Sequence, residues 1–251
     1  MPKKRKEHSL TGRIDLRLMH QAFKAVKRNR GAAGIDKVSV KMFGANLEEN
    51  LAALMKDLKA GTFRPRPLRR KMISKGPDTA KLRPLGIPVV RDRVAQEVIR
   101  RLLAPIFEPQ FHDASFGFIP KRNCHQAIER LLELHGQGYR VVLDADIQGF
   151  FDQIPHQVIM AAVAAEVADG NILRLVEKFL TAGVMENGVF KPTTVGTPQG
   201  GVVYPLLANN LLNHLDHSII KISEPTRTTI LYRIPYYSCK NGGGGGGGGG
   251  G

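Results

Sequence analysis

The chain has 251 residues, 42% of them hydrophobic, with 37 Lys+Arg against 22 Asp+Glu, a net charge of +15, two cysteines and no tryptophan. That length allows one or two domains with a real core. The widely separated Cys124 and Cys239 form no Cys-x-x-Cys pair, which argues against a zinc site or a disulfide framework and for a reducing interior. The longest apolar stretch, Val158 to Val167, contains Glu166 and is too short and too polar to span a bilayer, so no membrane partner is expected.

Charge is unevenly spread. Residues 1 to 101 hold 26 basic and 9 acidic side chains, and the remainder is close to neutral. A basic N-terminal half suits a surface that tracks phosphates by counterion release, although charge alone fits a ribosomal or chromatin protein equally well. The opening Pro2-Lys-Lys-Arg-Lys6 reads as a phosphate-binding arm, with a nuclear import signal as the rival. It is not a signal peptide, because no apolar segment follows it.

In chain order, Asn46 with Glu49 opens a helix whose stripe is Leu47, Leu51, Leu54 and Leu58 and which Gly61 stops. Val94 to Phe107 repeats the pattern through Val94, Val98, Leu102 and Ile106, with an interruption expected near Pro105. Asn123 precedes a helix carrying Ala127, Ile128, Leu131, Leu132 and Leu134, closed by Gly136 and Gly138. Val158 to Ala168 and Ile172 to Ala182 read as two more helices, divided at Asp169-Gly170, and Asn187-Gly188 reads as a tight hairpin.

Two blocks carry chemistry. Val141-Val-Leu-Asp-Ala-Asp-Ile147 alternates as a strand does, which puts Asp144 and Asp146 on one face and Val141, Leu143, Ala145 and Ile147 on the other. Two carboxylates on an open face are what a pair of Mg²⁺ ions roughly 4 Å apart requires. A solvated strand end or a helix-capping pair produces the same pattern. Phe150 and Phe151 follow, and a ring beside a metal-bound sugar can read its 2′ position; for Phe150 a core role is the better reading.

The second block, Gly196-Thr-Pro-Gln-Gly-Gly-Val-Val-Tyr-Pro-Leu-Leu-Ala-Asn209, is a glycine-rich turn running into an apolar helix. Its glycines allow a backbone to approach a ligand closely. Gly136-x-Gly138 is followed by Val141 and is no dinucleotide fingerprint, and no Gly-x4-Gly-Lys-Ser/Thr occurs. His156 reads as structural.

Together these blocks resemble the reverse transcriptases encoded by group II introns, the intron maturases. The resemblance runs from about Gly31 to His217 through Lys81-Leu-Arg-Pro-Leu-Gly-Ile-Pro88 with Arg91-Asp-Arg-Val94, Ile106-Phe-Glu-Pro109, Phe116-Gly-Phe118 with His125 and Ala127, Asp144 to His156, and Gly196 to Asn209. It implies that Asp146 is the first catalytic aspartate of the palm and a metal ligand, with Ile147 offering its backbone carbonyl. Asp144 becomes a neighbour of the metals. Phe151 matches the aromatic that separates deoxynucleotides from ribonucleotides, Gln199 lies against the incoming nucleotide, and Lys75 and Arg83 grip the triphosphate. Two Mg²⁺ ions are implied for the complete enzyme.

Departures from that pattern are visible. The loop between Lys75 and Arg83 is longer than the family's, Ile119 and Lys121 replace an Arg and a Gly, Tyr204 replaces a serine, and Asn210 replaces an apolar residue. The second catalytic pair of the family sits in a Tyr-x-Asp-Asp hairpin, and no Asp-Asp dipeptide occurs in this sequence. After about Lys221 the text matches no pattern of the family, and it ends in Gly242 to Gly251, a composition that buries no core. A lost reading frame and a designed linker are the two explanations for that tail.

The reading is an α+β chain, a right-hand polymerase with helices and an antiparallel sheet. Its expected parts are a basic N-terminal arm at 1–29, fingers at 30–138, a partial palm at 139–220 and an irregular tail at 221–251. The implied reaction is RNA-templated DNA synthesis by two-metal nucleotidyl transfer, on an RNA template and intron RNA with a DNA primer and deoxynucleoside triphosphates, in a bacterial cytoplasm. The fragment alone is expected to be inactive. The alternative is a non-catalytic, intron-RNA-binding splicing remnant, and behind it a fragment that does not fold.

Overall fold

A computed structural model of the chain describes residues 6–74, 82–145, 147, 149–197, 200–223 and 228–232. Lys75, Asp146 and Gln199, and the side chain of Asp144, lie outside the described residues. The chain divides into two compact units, one made of Met1–Phe107 with Gly149–Ala208 and the other of Glu108–Gln148 with Asn209–Gly251.

The first unit is built on helices. α1 (Leu16–Arg28) is capped by Asp15, whose side chain accepts from the Leu18 N–H, and buries Met19, Ala22, Phe23 and Val26. The stretch expected to be a basic arm therefore contains a core helix, because apolar residues recur at the 3.6-residue period beneath the lysines and arginines. α2 (Val40–Ala45) follows, and its Phe43 stacks on Phe23 with ring centroids 5.7 Å apart. α3 (Leu47–Ala60) buries Leu51, Leu54 and Leu58 and ends at Gly61 as expected, although the Asn46 side chain makes no capping bond.

β1 (Leu68–Ser74) and β2 (Leu82–Ile87) pair antiparallel. α4 (Val90–Phe107) is the central helix of this unit, buried along almost its whole length, and it runs through Pro105 where an interruption was expected. Pro105 forgoes the bond to the Arg101 carbonyl, and the buried Leu102, Leu103, Ala104 and Phe107 on its two flanks hold the helix through it.

α6 (Phe150–Gln153), α7 (His156–Glu166) and α8 (Gly170–Leu180) complete the helical layer. Asp169 caps α8 by accepting from the Asn171 and Ile172 N–H groups, and accepts from the Thr11 N–H and hydroxyl as well. α8 buries Ile172, Leu175, Val176, Phe179 and Leu180, and Phe179 meets Phe63 at 5.7 Å between centroids. β4 (Val184–Glu186) and β5 (Val189–Lys191) form the expected hairpin, with Asn187 and Gly188 both at positive φ.

The sheet order is β2-β1-β4-β5. β1 and β4 run parallel while the other two pairs are antiparallel, so this sheet is mixed where an antiparallel one was expected. The partners lie far apart in sequence, and local alternation carries no information on the direction of such a pairing.

The second unit holds α5 (Cys124–Gly136), opened by a full capping box between Asn123 and Gln126, and β3 (Val141–Ala145). In the stretch 221–251, expected to be irregular, α9 (Tyr204–Ser223) continues past 221 and β6 (Thr228–Tyr232) pairs parallel with β3. The Thr-Thr-Ile-Leu-Tyr run has the β-branched character a strand favours. In the loop before α5, Arg122 donates to the His112 and Ser115 carbonyls at 2.6 and 2.7 Å, and Asn209 donates to the Gly117 carbonyl at 2.7 Å. Among the described residues no helix is long and apolar enough to cross a membrane.

Candidate functional site

The β1–β2 register fixes which side chains share a face. Arg69, Lys71 and Ile73 of β1 stand opposite Ile87, Leu85 and Arg83 of β2, so Arg69, Lys71 and Arg83 lie on one face. Arg69 and Lys71 are exposed and Arg83 is half-buried, with burial lowering the pKa of its guanidinium. The sequence reading found Arg83 alone. The alternation Leu68-Arg-Arg-Lys-Met-Ile-Ser74 was the signal for the other two, since residues two apart in a strand share a side.

The glycine-rich turn is fastened within the same unit. The Gly196 N–H donates to the Ile154 carbonyl at 2.8 Å and the Thr197 N–H to the Phe151 carbonyl at 2.6 Å. The His156 Nε2 lies 2.7 Å from the Gly196 carbonyl, which is the structural role expected of that histidine. On the far side, the Val202 N–H donates to the buried Gln96 Oε1 at 2.7 Å, and the Tyr204 hydroxyl donates to the Phe179 carbonyl at 2.8 Å. Burial raises the Tyr204 pKa, so the phenol stays protonated and its donor role is fixed.

The glycines of this turn make room for protein. At Gly196, with φ of 83°, a Cβ would stand 2.6 Å from the Asp152 carbonyl oxygen. At Gly200, with φ of 118°, it would stand 2.2 Å from the Gly86 carbonyl oxygen and 3.0 Å from Leu85 Cδ1. Both positions were read as places for a ligand to come close; the close neighbours are α6 and β2. Since Leu85 shares its side of the hairpin with Arg83, the turn approaches the hairpin on the Arg83 face.

Phe151 therefore joins Arg83 and the turn in one unit, half-buried, with its ring edge-on to Phe150 at 5.4 Å and 74°. Phe150 is also half-buried, short of the core position expected for it. Ile147 belongs to the other unit, and its side chain is exposed. Among the described residues no three His, Cys, Asp or Glu side chains converge as a metal site would need. Lys75, Asp146 and Gln199 lie outside those residues.

The sequence reading also missed a buried acid beside the sheet. Asp92 accepts from the Arg66 N–H at 2.7 Å, and burial pushes its carboxyl up to about 7, against the pull of that bond and of the Arg91 and Arg66 charges. A basic cleft of about 500 Å³ lies elsewhere in the unit, lined by Gln21, Lys24, Ala25, Lys27, Arg28 and Arg101. Glu97 holds Arg101 there, accepting from its Nε at 2.8 Å.

The chain is 40% identical over 192 residues to the group II intron-encoded protein LtrA of Lactococcus lactis subsp. cremoris, covering 74% of this chain and 32% of LtrA. It is 39% identical over 187 residues to protein YkfC of Escherichia coli K12, covering 73% of this chain and 49% of YkfC. It thus spans about a third to a half of the length of these relatives. Among solved structures, a chain of the partial Cas6-RT-Cas1–Cas2 complex matches 86% of this chain and 35% of its own length, with a TM-score of 0.55 at 20% identity, a likeness of fold. Reverse transcriptases as a family use divalent metal ions. The family profile "Reverse transcriptase (RNA-dependent DNA polymerase)" matches residues 73–233, well over half of the chain, and the chain belongs to that family, in its group II intron-encoded branch.

Proposed function

We propose that this chain supplies the fingers (30–138) and part of the palm (139–220) of an RNA-directed DNA polymerase of the group II intron type. The single observation that carries the reading is the close approach of Gly200 to Leu85 and Gly86 of β2, on the Arg83 side of the hairpin, with Thr197 bonded to the Phe151 carbonyl. It gathers a cation, an aromatic ring and the backbone flanking Gln199 in one unit, as a nucleotide site requires.

In this reading Arg83 and Lys75 bind the triphosphate, Phe151 screens the sugar, and Gln199 lies against the incoming base pair. Asp146 and the Ile147 carbonyl are oxygen donors, a set that suits Mg²⁺. When bound, the ions neutralise the phosphates and activate the attacking primer hydroxyl. The partners are an RNA template, a DNA primer, deoxynucleoside triphosphates and the intron RNA, in a bacterial cytoplasm.

A second reading, RNA binding without synthesis, is favoured by the basic cleft between α1 and α4, which lies apart from Arg83 and Phe151 in sequence and carries Lys24, Lys27, Arg28 and Arg101. Deoxynucleoside triphosphate binding with Mg²⁺, run beside RNA binding over a salt series, separates the two. Primer extension is not expected of a sequence with no Asp-Asp pair, so the deciding result is Mg²⁺-dependent binding of a deoxynucleoside triphosphate: its loss in Asp146→Ala supports the polymerase, and salt-dependent RNA binding without it leaves the binding reading.

A further inference from the structure

The four-stranded sheet has two unlike faces. β4 and β5 pair with Met185 opposite Phe190, and β1 pairs with β4 through Arg69 opposite Met185. One row across the sheet therefore reads Phe190, Met185, Arg69, Ile87, and the rows beside it on β1 and β2 hold Lys71 with Leu85 and Ile73 with Arg83. Among the described strand residues this face bears Arg69, Lys71 and Arg83 and no carboxylate. On the opposite face Glu186 pairs with Arg70 at 3.7 Å and with Lys191, so one carboxylate offsets the two cations there.

Phe190 is 50% exposed, an unusual place for a large ring. A Cβ at Gly183 would stand 2.3 Å from Phe190 Cε2 and 2.6 Å from its Cζ, so the edge of the ring lies against a residue without a side chain. That edge of the ring is packed, and half of the side chain is exposed. Strands lie about 4.8 Å apart, which puts Phe190 about 10 Å across the sheet from the strand of Arg69 and Lys71. A ring fixed beside exposed cations is the pairing that binds single-stranded nucleic acid, with bases stacking on aromatics while lysine and arginine follow the phosphates.

We infer that Phe190 is a stacking platform for an unpaired base of a single-stranded nucleic acid whose phosphates run over Arg69 and Lys71. The β4–β5 hairpin then extends the track of the fingers hairpin sideways, ahead of the nucleotide site. This inference rests on the nucleic-acid reading above and adds to it a residue and a mode of contact. The exposed positive charge of Arg69 and Lys71 selects a polyanion over an apolar protein segment as the occupant.

The test is binding of the full 251-residue chain to a fluorescent single-stranded 12-mer RNA and to the same strand carrying abasic sites. For Phe190→Ala the affinity for the intact strand should fall about ten-fold, within the range of one lost base stack, while the abasic strand is bound within two-fold of the parent chain. Phe190→Trp should retain the preference for the intact strand. Phe190→Leu keeps an apolar side chain over Gly183 and should lose that preference with the fold intact, which guards against failure of the alanine variant to fold.

Lys71→Ala should weaken both strands alike and reduce the salt slope by about one. Phe190→Ala that binds the intact strand as the parent does, or that loses both strands equally, overturns the platform while leaving the polymerase reading in place. RNA binding unchanged in Phe190→Ala with self-association lost assigns the ring to a second copy of the chain and overturns it too. A chain that binds neither strand overturns the nucleic-acid reading and this inference together.

Discussion

The Thr197 backbone N–H donates to the Phe151 carbonyl at 2.6 Å, and the Thr197 hydroxyl reaches the same oxygen at 3.3 Å. Thr197 is almost fully buried, so this contact ties the glycine-rich turn to the short helix that begins Phe150-Phe151. The two motifs lie forty-six residues apart in the chain and are joined by these bonds.

Thr197→Val keeps the shape and removes the hydroxyl. A single buried bond to a carbonyl contributes about 0.5 to 1.5 kcal/mol, and the retained N–H bond should hold the turn in place. The expected result is a stability loss in that range by denaturant titration, with a larger loss in Thr197→Gly, which also loosens the backbone.

Gly200→Ala should cost more. The φ of 118° is strained for any side chain, and the new Cβ meets the Gly86 carbonyl oxygen, a backbone atom that cannot swing aside. Strain and overpacking together give a loss of about 2 to 4 kcal/mol. Calorimetry checks it; an unchanged Tm would show that the turn does not lie against β2.

Tyr204→Phe removes the donor to the Phe179 carbonyl without changing the ring. The carbonyl is left unsatisfied in a dry core, at a cost of about 1 to 3 kcal/mol, read as a drop in Tm.

Asp92→Asn tests the buried acid. Burial raises this carboxyl to about 7 in the folded chain, above its usual value of 3.8, so folding favours the protonated form. The stability it contributes is complete below about pH 4 and is lost as the pH rises through 7. Asn keeps the acceptor for the Arg66 N–H and has no charge to bury. The variant should match the parent at pH 4 and exceed it at pH 8 by roughly 1 to 3 kcal/mol, as measured by urea titration at both values.

Much of this was legible in the residues themselves. Asn123 with Gln126, Asp169 ahead of α8, Gly61 after α3 and Asn187-Gly188 in the hairpin act through bonds to their near neighbours, and such signals survive in the sequence because their geometry is local. The polymerase blocks were legible for a different reason: Asp144 to Asp152 and Gly196 to Gly201 are two of five ordered blocks that together resemble the group II intron reverse transcriptases.

What only the tertiary structure decided was which of those motifs meet. The seating of Gly200 on Gly86, the parallel pairing of β1 with β4, and the row that aligns Arg69 with Phe190 all join residues far apart in sequence. α4 crosses Pro105 because buried apolar side chains on both flanks outweigh one lost backbone bond, a comparison that no local pattern contains. Local preference is written residue by residue, whereas register and close approach are set by the sum of packing over a whole unit, and there the sequence alone is silent.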